Sequence, residues 1–518
     1  MKVLKKSILC CVIATILALG LGMGTFAAEY IDVGPADVYP EKQFVLDWLD
    51  QPEALEKFGG IQDAIWSYAE LGMQEFKGSK LLADTLEKAG FKVERGMAGM
   101  PTCFVASYGS GKPVIGILAE FDALPMISQK ALVPYQDPLV EGAPGHGCGH
   151  NRRGGVSVAI GIAVKEAMDK FGIKGTIKIF GSPAEETVIS RPYMVNAGLF
   201  DDVDAAIEPS PGAGFSTNYG LSSGCAMFSV LFSFKGVTGH SAGSPWNAKS
   251  ALDGVDIMNV ATNFLREHLH YGYRMHYVIT SGGEAPNVVP DYASVWYFIR
   301  NSDERLLSMV EKVFNCARAG ALATGTELTI RVYTAIHQRY RNKALAMAAQ
   351  QNIDLVGMPA WSETEIAFAK ALQKELGKKE TGMPTTVSKL REYDPTVKFT
   401  GGGSSDVAEA TRVTPTTVVS FPGGVPGQIG HHWSRVAATF GSAAAKGTIA
   451  GAKVSAALAL DLMTKPELLK KVRDEFEAFT KENPYESYLP ADAVPPIELN
   501  AELMEKYRPK LEEFYLEP

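Results

Sequence analysis

No stretch of this chain interleaves basic residues with aromatics, and its formal net charge is -8, so a nucleic-acid partner is excluded. Long apolar runs are missing beyond the N-terminus. The Gly/Ala-rich stretch from Gly441 to Leu462 has the length of a membrane span, but Lys446 and Lys453 interrupt it and mark a close-packed buried helix. No internal repeat is found. Cysteine is scarce, six in 518 residues, and its spacing shows no disulfide framework. Cys103, Cys225 and Cys316 read as small buried hydrophobes.

What is present supports a large core. Hydrophobic residues make up 46% of the chain, enough for more than one domain. The 51 glycines and 29 prolines imply many turns, as in a loop-rich α/β enzyme. At the N-terminus, Lys2, Lys5 and Lys6 precede an apolar run from Ile8 to Met23 and the small residues Gly24 to Ala28. This is the layout of a secretory signal over 1–27, cut after Ala27 with Ala28 as the alternative, and it predicts export to a periplasm or the exterior.

From there, short apolar runs alternate with helical patterns. Strands are predicted at Cys103–Tyr108, Val114–Leu118, Thr176–Phe180, Ala205–Ile207 and Thr416–Phe421, with a small-residue helix over Arg153–Phe171. That order predicts an α/β fold with a largely parallel, doubly wound sheet, whose functional groups gather beyond the strand C-termini. The texture changes near Gly224. A strand, a helix from Ala248 to His268, two strands, a helix from Asp303 and a last strand to Tyr333 give the order βαββαβ of a ferredoxin-like sandwich. The predicted organisation is therefore a catalytic domain over 28–223, an inserted domain over 224–338, and the rest of the catalytic domain with a polar helical tail over 339–518.

The chemistry-bearing residues cluster at the predicted strand ends. In GHGCGHN, Gly145 to Asn151, Cys148 and His150 alternate, so an extended loop aims both at one point; His146 has the same parity. The flanking glycines let backbone approach an ion. In SPAEE, Glu185 and Glu186 follow an apolar strand, where uncompensated carboxylates are costly and a cation would remove the cost. Thiolate, imidazole and carboxylate are the side chains that hold a zinc-like ion. One carboxylate can bind metal while the other moves protons. In AEFDALP, Glu120 and Asp122 share one face, and Asp122 is the candidate to orient a ligating imidazole from behind. Glu208 ends a short strand, and His431 or His432 could close the metal site; spacing does not choose between them. In the inserted domain, His240 follows a strand, and Asn287 and Arg300 offer a donor–acceptor amide and a bidentate carboxylate partner.

The blocks AEFDALP, GHGCGHN, PAEE, GHSAGSP with NAKSALDGVDIMN, PNVVP and GHHW together resemble the co-catalytic metallopeptidase family of aminoacylases, carboxypeptidase G and bacterial dipeptidases, over about Ala64 to Met463. The resemblance implies two divalent ions, Zn or Mn, beneath an inserted lid and dimerisation domain. It implies Cys148 as bridging ligand, with His150, Glu186, Glu208 and His431 as further ligands and Glu185 as general base. It also implies that His240 crosses a homodimer to steady the oxyanion and that Asn287 and Arg300 hold a substrate carboxylate. Close members carry histidine where this chain has Glu208, and more distant ones an acid. The implied reaction is hydrolysis of the amide in a small N-acyl amino acid or dipeptide-like substrate, such as an aminobenzoyl-glutamate. Within the same scaffold, a dipeptidase or an N-acyl amino-acid deacylase is the rival reading. A non-catalytic exported solute or peptide binder is the rival from another class, and the intact Cys148, His150, Glu185, Glu186 and His431 argue against it.

Overall fold

The structure, a computed structural model, describes residues 29–222, 224–395, 399 and 401–518. The expected signal at 1–27 lies outside the described residues.

After the helices Pro40–Leu49, Pro52–Tyr68 and Phe76–Lys88 the chain lays down β1 (Lys92–Arg95), β2 (Phe104–Ser110) and β3 (Val114–Ala119). A long irregular segment leads into helix α1 (His150–Phe171), then β4 (Gly175–Gly181) and β5 (Ala205–Pro211). The insertion follows as β6 (Ala226–Lys235), α2 (Ala251–Leu265), β7 (Arg274–Ser281), β8 (Tyr292–Asn301), α3 (Asp303–Thr324) and β9 (Glu327–Ile336). The chain then returns to the first unit with β10 (Thr416–Phe421) and α4 (Gly441–Thr464).

The main sheet has the order β1-β2-β4-β3-β5-β10. β4, β3, β5 and β10 run parallel, while β1 and β2 pair antiparallel at one edge. The sheet is thus mixed where the sequence suggested a largely parallel one. The short connections β1–β2 and β2–β3 leave no room for crossover helices, so those strands reverse direction. The central strands read as continuous apolar runs because both faces are covered. Ile115, Ile117, Ile177 and Ile179 pack with α1 and α4 on one side, and Leu118, Phe180 and Ala206 join a second cluster on the other. The Gly/Ala-rich α4 is buried along most of its length, as its composition suggested. Among the described residues no helix is long and apolar enough to cross a membrane.

The insertion folds as the βαββαβ pattern requires. Its four strands are antiparallel in the order β9-β6-β8-β7. Phe232, Phe234 and Tyr297 of the sheet meet Val255 and Met258 of α2 in a core of its own. Both connections to the first unit run side by side: Gly220–Leu221 pairs antiparallel with Tyr340–Arg341. The polar tail forms helices at Pro466–Glu482 and Ala501–Leu511. Four adjacent parallel strands therefore deliver their C-terminal ends, and the loops that follow them, to one edge of the main sheet.

Candidate metal and active site

Those loops bring together residues far apart in sequence. The Cys148 sulfur, a Glu186 carboxylate oxygen and a His431 ring nitrogen lie within 4.8 Å of one another, and so do ligand atoms of Glu120, His150 and Glu185. The GHGCGHN loop makes the first group by close backbone approach. The His431 N–H donates to the Gly147 carbonyl at 3.0 Å. A Cβ on Gly147 would stand 2.4 Å from Ile127 Cδ1 and 3.3 Å from the His431 Cα, so a side chain there would displace Ile127 and crowd His431. Gly149, at φ 84°, turns the chain into α1 and puts His150 in its first turn. His431 itself sits at φ 55°. His432 is spent elsewhere: its Nδ1 caps the helix Trp433–Ala438 at the Ser434 N–H. The two histidines that spacing could not separate are thus separated by conformation.

Two buried carboxylates fix the PAEE turn. Glu75 Oε1 accepts from the Ala184 N–H at 2.7 Å, and Asp122 Oδ2 accepts from the Glu186 N–H at 2.8 Å. Ala184 is left-handed, at φ 53°, a conformation that these anchors hold against its cost. The other Asp122 oxygen lies 2.7 Å from His150 Nδ1. Asp122 thus orients the His150 ring from behind, as a carboxylate does for a ligating imidazole. Nε2 faces Glu120 Oε2 at 3.3 Å and Glu185 Oε2 at 3.6 Å.

The electrostatics show how far the site is from neutral. Burial opposes ionisation of the Cys148 thiol, but Arg435, His150 and His431 outweigh it and hold its pKa well below the usual thiol value. Burial also opposes charge on His150, yet Glu186, Asp122 and Cys148 raise its pKa well above normal. Burial and then Cys148 push Glu186 well above the carboxylate range. Burial and then Glu120 push Glu185 up to about 8. Glu186 Oε1 is buried without a hydrogen-bond partner. An orphaned carboxylate oxygen beside a low-pKa thiol and an imidazole is a donor set that fits a divalent cation.

Glu208 is redirected. Its Oε2 accepts from Arg341 Nη2 at 2.9 Å, and Arg153 and Arg339 each approach Oε1 to 3.8 Å. Burial would raise its pKa, but Arg341, Arg339 and Arg153 together hold it at about 2. Glu208 is thus paired with three guanidiniums and belongs to neither group of candidate ligands, while the resemblance implies a ligand role for it. His146 is buried with Nε2 3.0 Å from the Ile65 carbonyl, outside both groups.

The insertion's residues stay away from this centre within one chain. His240 is exposed, its Nδ1 accepting from the Ala242 and Gly243 N–H groups, and it bridges to Val288 beside Asn287. Arg300 lies over the Phe298 ring, 5.1 Å from its centroid, with a buried Nε that lacks a partner. Among the described residues none of the three hydrogen-bonds or ion-pairs with Cys148, His150, Glu185, Glu186 or His431.

Sequence reasoning missed Glu75, Arg153, Arg191 and Asp406. Arg191 is fully buried, against Asp406 on one side and Glu120 on the other. Arg153 pairs with Glu120 as well. The pair Arg152-Arg153 on a small-residue helix was the available signal, since an arginine buried in such a helix demands an acid.

Residues 116–459, spanning the main unit and the insertion, match the family described as Peptidase family M20/M25/M40. The chain belongs to this family. It is 34% identical over 469 residues to a subunit of the p-aminobenzoyl-glutamate hydrolase of Escherichia coli (strain K12), with 85% of this chain and 96% of that protein covered. It is 28% identical to the Xaa-Arg dipeptidase of Mus musculus, over 83% of this chain and 91% of that one. The fold is shared with the crystal structure of an aminobenzoyl-glutamate utilization protein from Klebsiella pneumoniae, with a TM-score of 0.54, 16% identity, and coverage of 80% and 97%. The chain is accordingly a metal-dependent hydrolase of amide bonds, an α/β catalytic unit carrying a separate lid.

Proposed function

We propose that the chain hydrolyses the amide bond of a small N-acyl amino acid of the p-aminobenzoyl-glutamate type, at a divalent ion held by Cys148, Glu186 and His431. The observation that carries this reading is the convergence of those three donors beside Glu185, together with the resemblance to the E. coli hydrolase. The thiolate favours zinc, while the carboxylate and imidazole would also accept manganese. When bound, the metal supplies Lewis acidity toward the amide carbonyl and an attacking water. The resemblance implies a second ion sharing Cys148 on the His150 side, where Glu120, Glu185 and Arg153 also stand.

The chain's own groups do the rest. Glu185, buried and next to the ligand Glu186, takes the proton of the attacking water and returns it to the leaving amine. Asp122 keeps His150 and the Glu186 backbone in place. Arg300, with its unpartnered Nε, and Asn287 receive the substrate carboxylate under the lid. His240, exposed on the lid, donates to the oxyanion of a second copy in a homodimer. An apolar stripe along α2, Ile257, Val260 and Phe264, supports that dimer; Phe264 is 71% exposed. The leading segment 1–27 supports export.

The test is a panel of amides varied on each side of the bond, with metal content measured in parallel. Cleavage of p-aminobenzoyl-glutamate, abolished by chelation, is the expected result. Preference for unacylated dipeptides would move the assignment to a dipeptidase, and the absence of both metal and turnover would leave a binding protein.

A further inference from the structure

We propose that Arg153 fills the second cation position of this centre, so that the chain works with a single divalent ion. The inference rests on the reading of Cys148, Glu186 and His431 as a metal site and changes what stands beside it.

The second group sets two carboxylates, Glu120 and Glu185, against the His150 ring. His150 Nε2 has two carboxylate oxygens nearby, Glu120 Oε2 at 3.3 Å and Glu185 Oε2 at 3.6 Å. Buried carboxylates this close together call for positive charge beside them. The structure already supplies it. Arg153 stands three residues after His150 on α1, so the two share a face of the helix. Its Nη1 donates to Glu120 Oε2, the same oxygen that faces His150 Nε2. Its Nη2 donates to Ser210 Oγ at 3.0 Å and lies 3.8 Å from Glu208. The other oxygen of Glu120 lies 2.7 Å from Arg191 Nη2. Both oxygens of Glu120 are thus ion-paired before any metal arrives.

Neither arginine can easily withdraw. Arg153 is 6% exposed and Arg191 not at all. Arg191 is further tied to Asp406, whose Oδ2 also accepts from Ser190 Oγ at 2.9 Å and from the Arg191 N–H at 3.0 Å. A divalent ion at this position would have to break the Arg153–Glu120 pair and then stand beside an unsolvated guanidinium of like charge. The first group offers the opposite environment. Among the described residues no arginine or lysine forms an ion pair with Glu186, and its Oε1 has no hydrogen-bond partner. Three protein ligands with an open fourth position is the arrangement of catalytic zinc. The chain thus keeps a complete one-ion centre and spends a guanidinium on the charge that a second ion would carry.

The experiment is metal stoichiometry on the full-length mature chain. Protein stripped by dipicolinate is loaded with zinc or manganese, freed of excess by gel filtration, and analysed by plasma mass spectrometry. A parallel titration with cobalt(II) follows the thiolate-to-cobalt charge-transfer band. The expected result is one tightly held ion per chain, with the band saturating at one equivalent. Arg153→Gln is expected to hold two, while Arg153→Lys stays at one. Two ions in the unsubstituted chain would overturn the inference and leave the hydrolase reading standing. No ion and no thiolate band would overturn the reading of the first group as well. A folded Arg153→Gln variant that still holds one ion would show that Arg153 is not what fills the position. The stoichiometry of the unsubstituted chain decides the main claim even where the variant fails to fold.

Discussion

Asp122→Asn is the perturbation whose consequence follows most directly from the geometry. Asp122 is fully buried and makes two charge-assisted contacts, 2.7 Å to His150 Nδ1 and 2.8 Å from the Glu186 N–H. Burial would raise its pKa, but His150 and the Glu186 N–H outweigh burial and hold it below the usual value, so the group is ionised at neutral pH. Hydrogen bonds to a charged group are worth about 1.5–3 kcal/mol each. The substituted amide has one acceptor oxygen for two donors, so its NH2 must face either the Glu186 N–H or the His150 Nδ1–H. Loss of such an outer partner costs roughly 10–100-fold in metal affinity or activity, or about 1.4–2.8 kcal/mol. The assay pairs kcat/KM on the amide substrate with the zinc dissociation constant from competition against a chromophoric chelator. Values within about twofold of the parent for both would refute the reasoning.

Other expectations follow from the same contacts. Glu185→Gln should lower kcat by about 10²–10⁴ with metal content unchanged, because it removes the proton carrier and no ligand of the first group; full turnover would remove Glu185 from its role. Glu208 is depressed from 4.5 to about 2, so its contribution to stability is complete above pH 4.5 and is lost as pH falls through about 2. That shift corresponds to ~3 kcal/mol. Urea melts of Glu208→Gln against the parent should show that gap at pH 7 and a narrowing gap toward pH 2; a gap that does not change with pH would contradict the three-arginine clamp. Phe264→Glu, on the exposed stripe of α2, should convert a dimer to monomer in sedimentation velocity and abolish turnover with it, since the proposed His240 contact comes from the second copy.

Much of the architecture was legible because its signals are local. Apolar runs gave the central strands, and the βαββαβ order gave the lid, including the positions of α2 and α3. The antiparallel edge was not legible. β1, KVER, carries no apolar run, and whether β2 runs with or against β4 depends on connections that periodicity does not report. At the site, Cys148, His150, Glu185 and Glu186 announced themselves by residue type at strand ends, and Asp122 by its alternation. Spacing left His431 and His432 open and the family likeness pointed to His431; backbone conformation distinguishes them, since one sits at positive φ against Gly147 and the other caps a helix. The pairing of Glu208 was not legible, because a carboxylate at a strand end looks the same whether metal or arginine faces it. What faces it is set by Arg339 and Arg341, which the return strand from the lid brings alongside residues over a hundred positions earlier. Arg153 was hidden for the same reason, since its partner Glu120 lies on a different element.

The central claim, that Cys148, Glu186 and His431 hold the ion on which amide cleavage depends, is tested most directly by removing and restoring that ion. Protein treated with dipicolinate and freed of metal is assayed on p-aminobenzoyl-glutamate, then assayed again after stoichiometric zinc or manganese. The expected result is loss of turnover on stripping and recovery on addition in the parent chain, with no recovery in Cys148→Ala. Undiminished cleavage by the stripped protein, or full recovery in Cys148→Ala, would contradict the account.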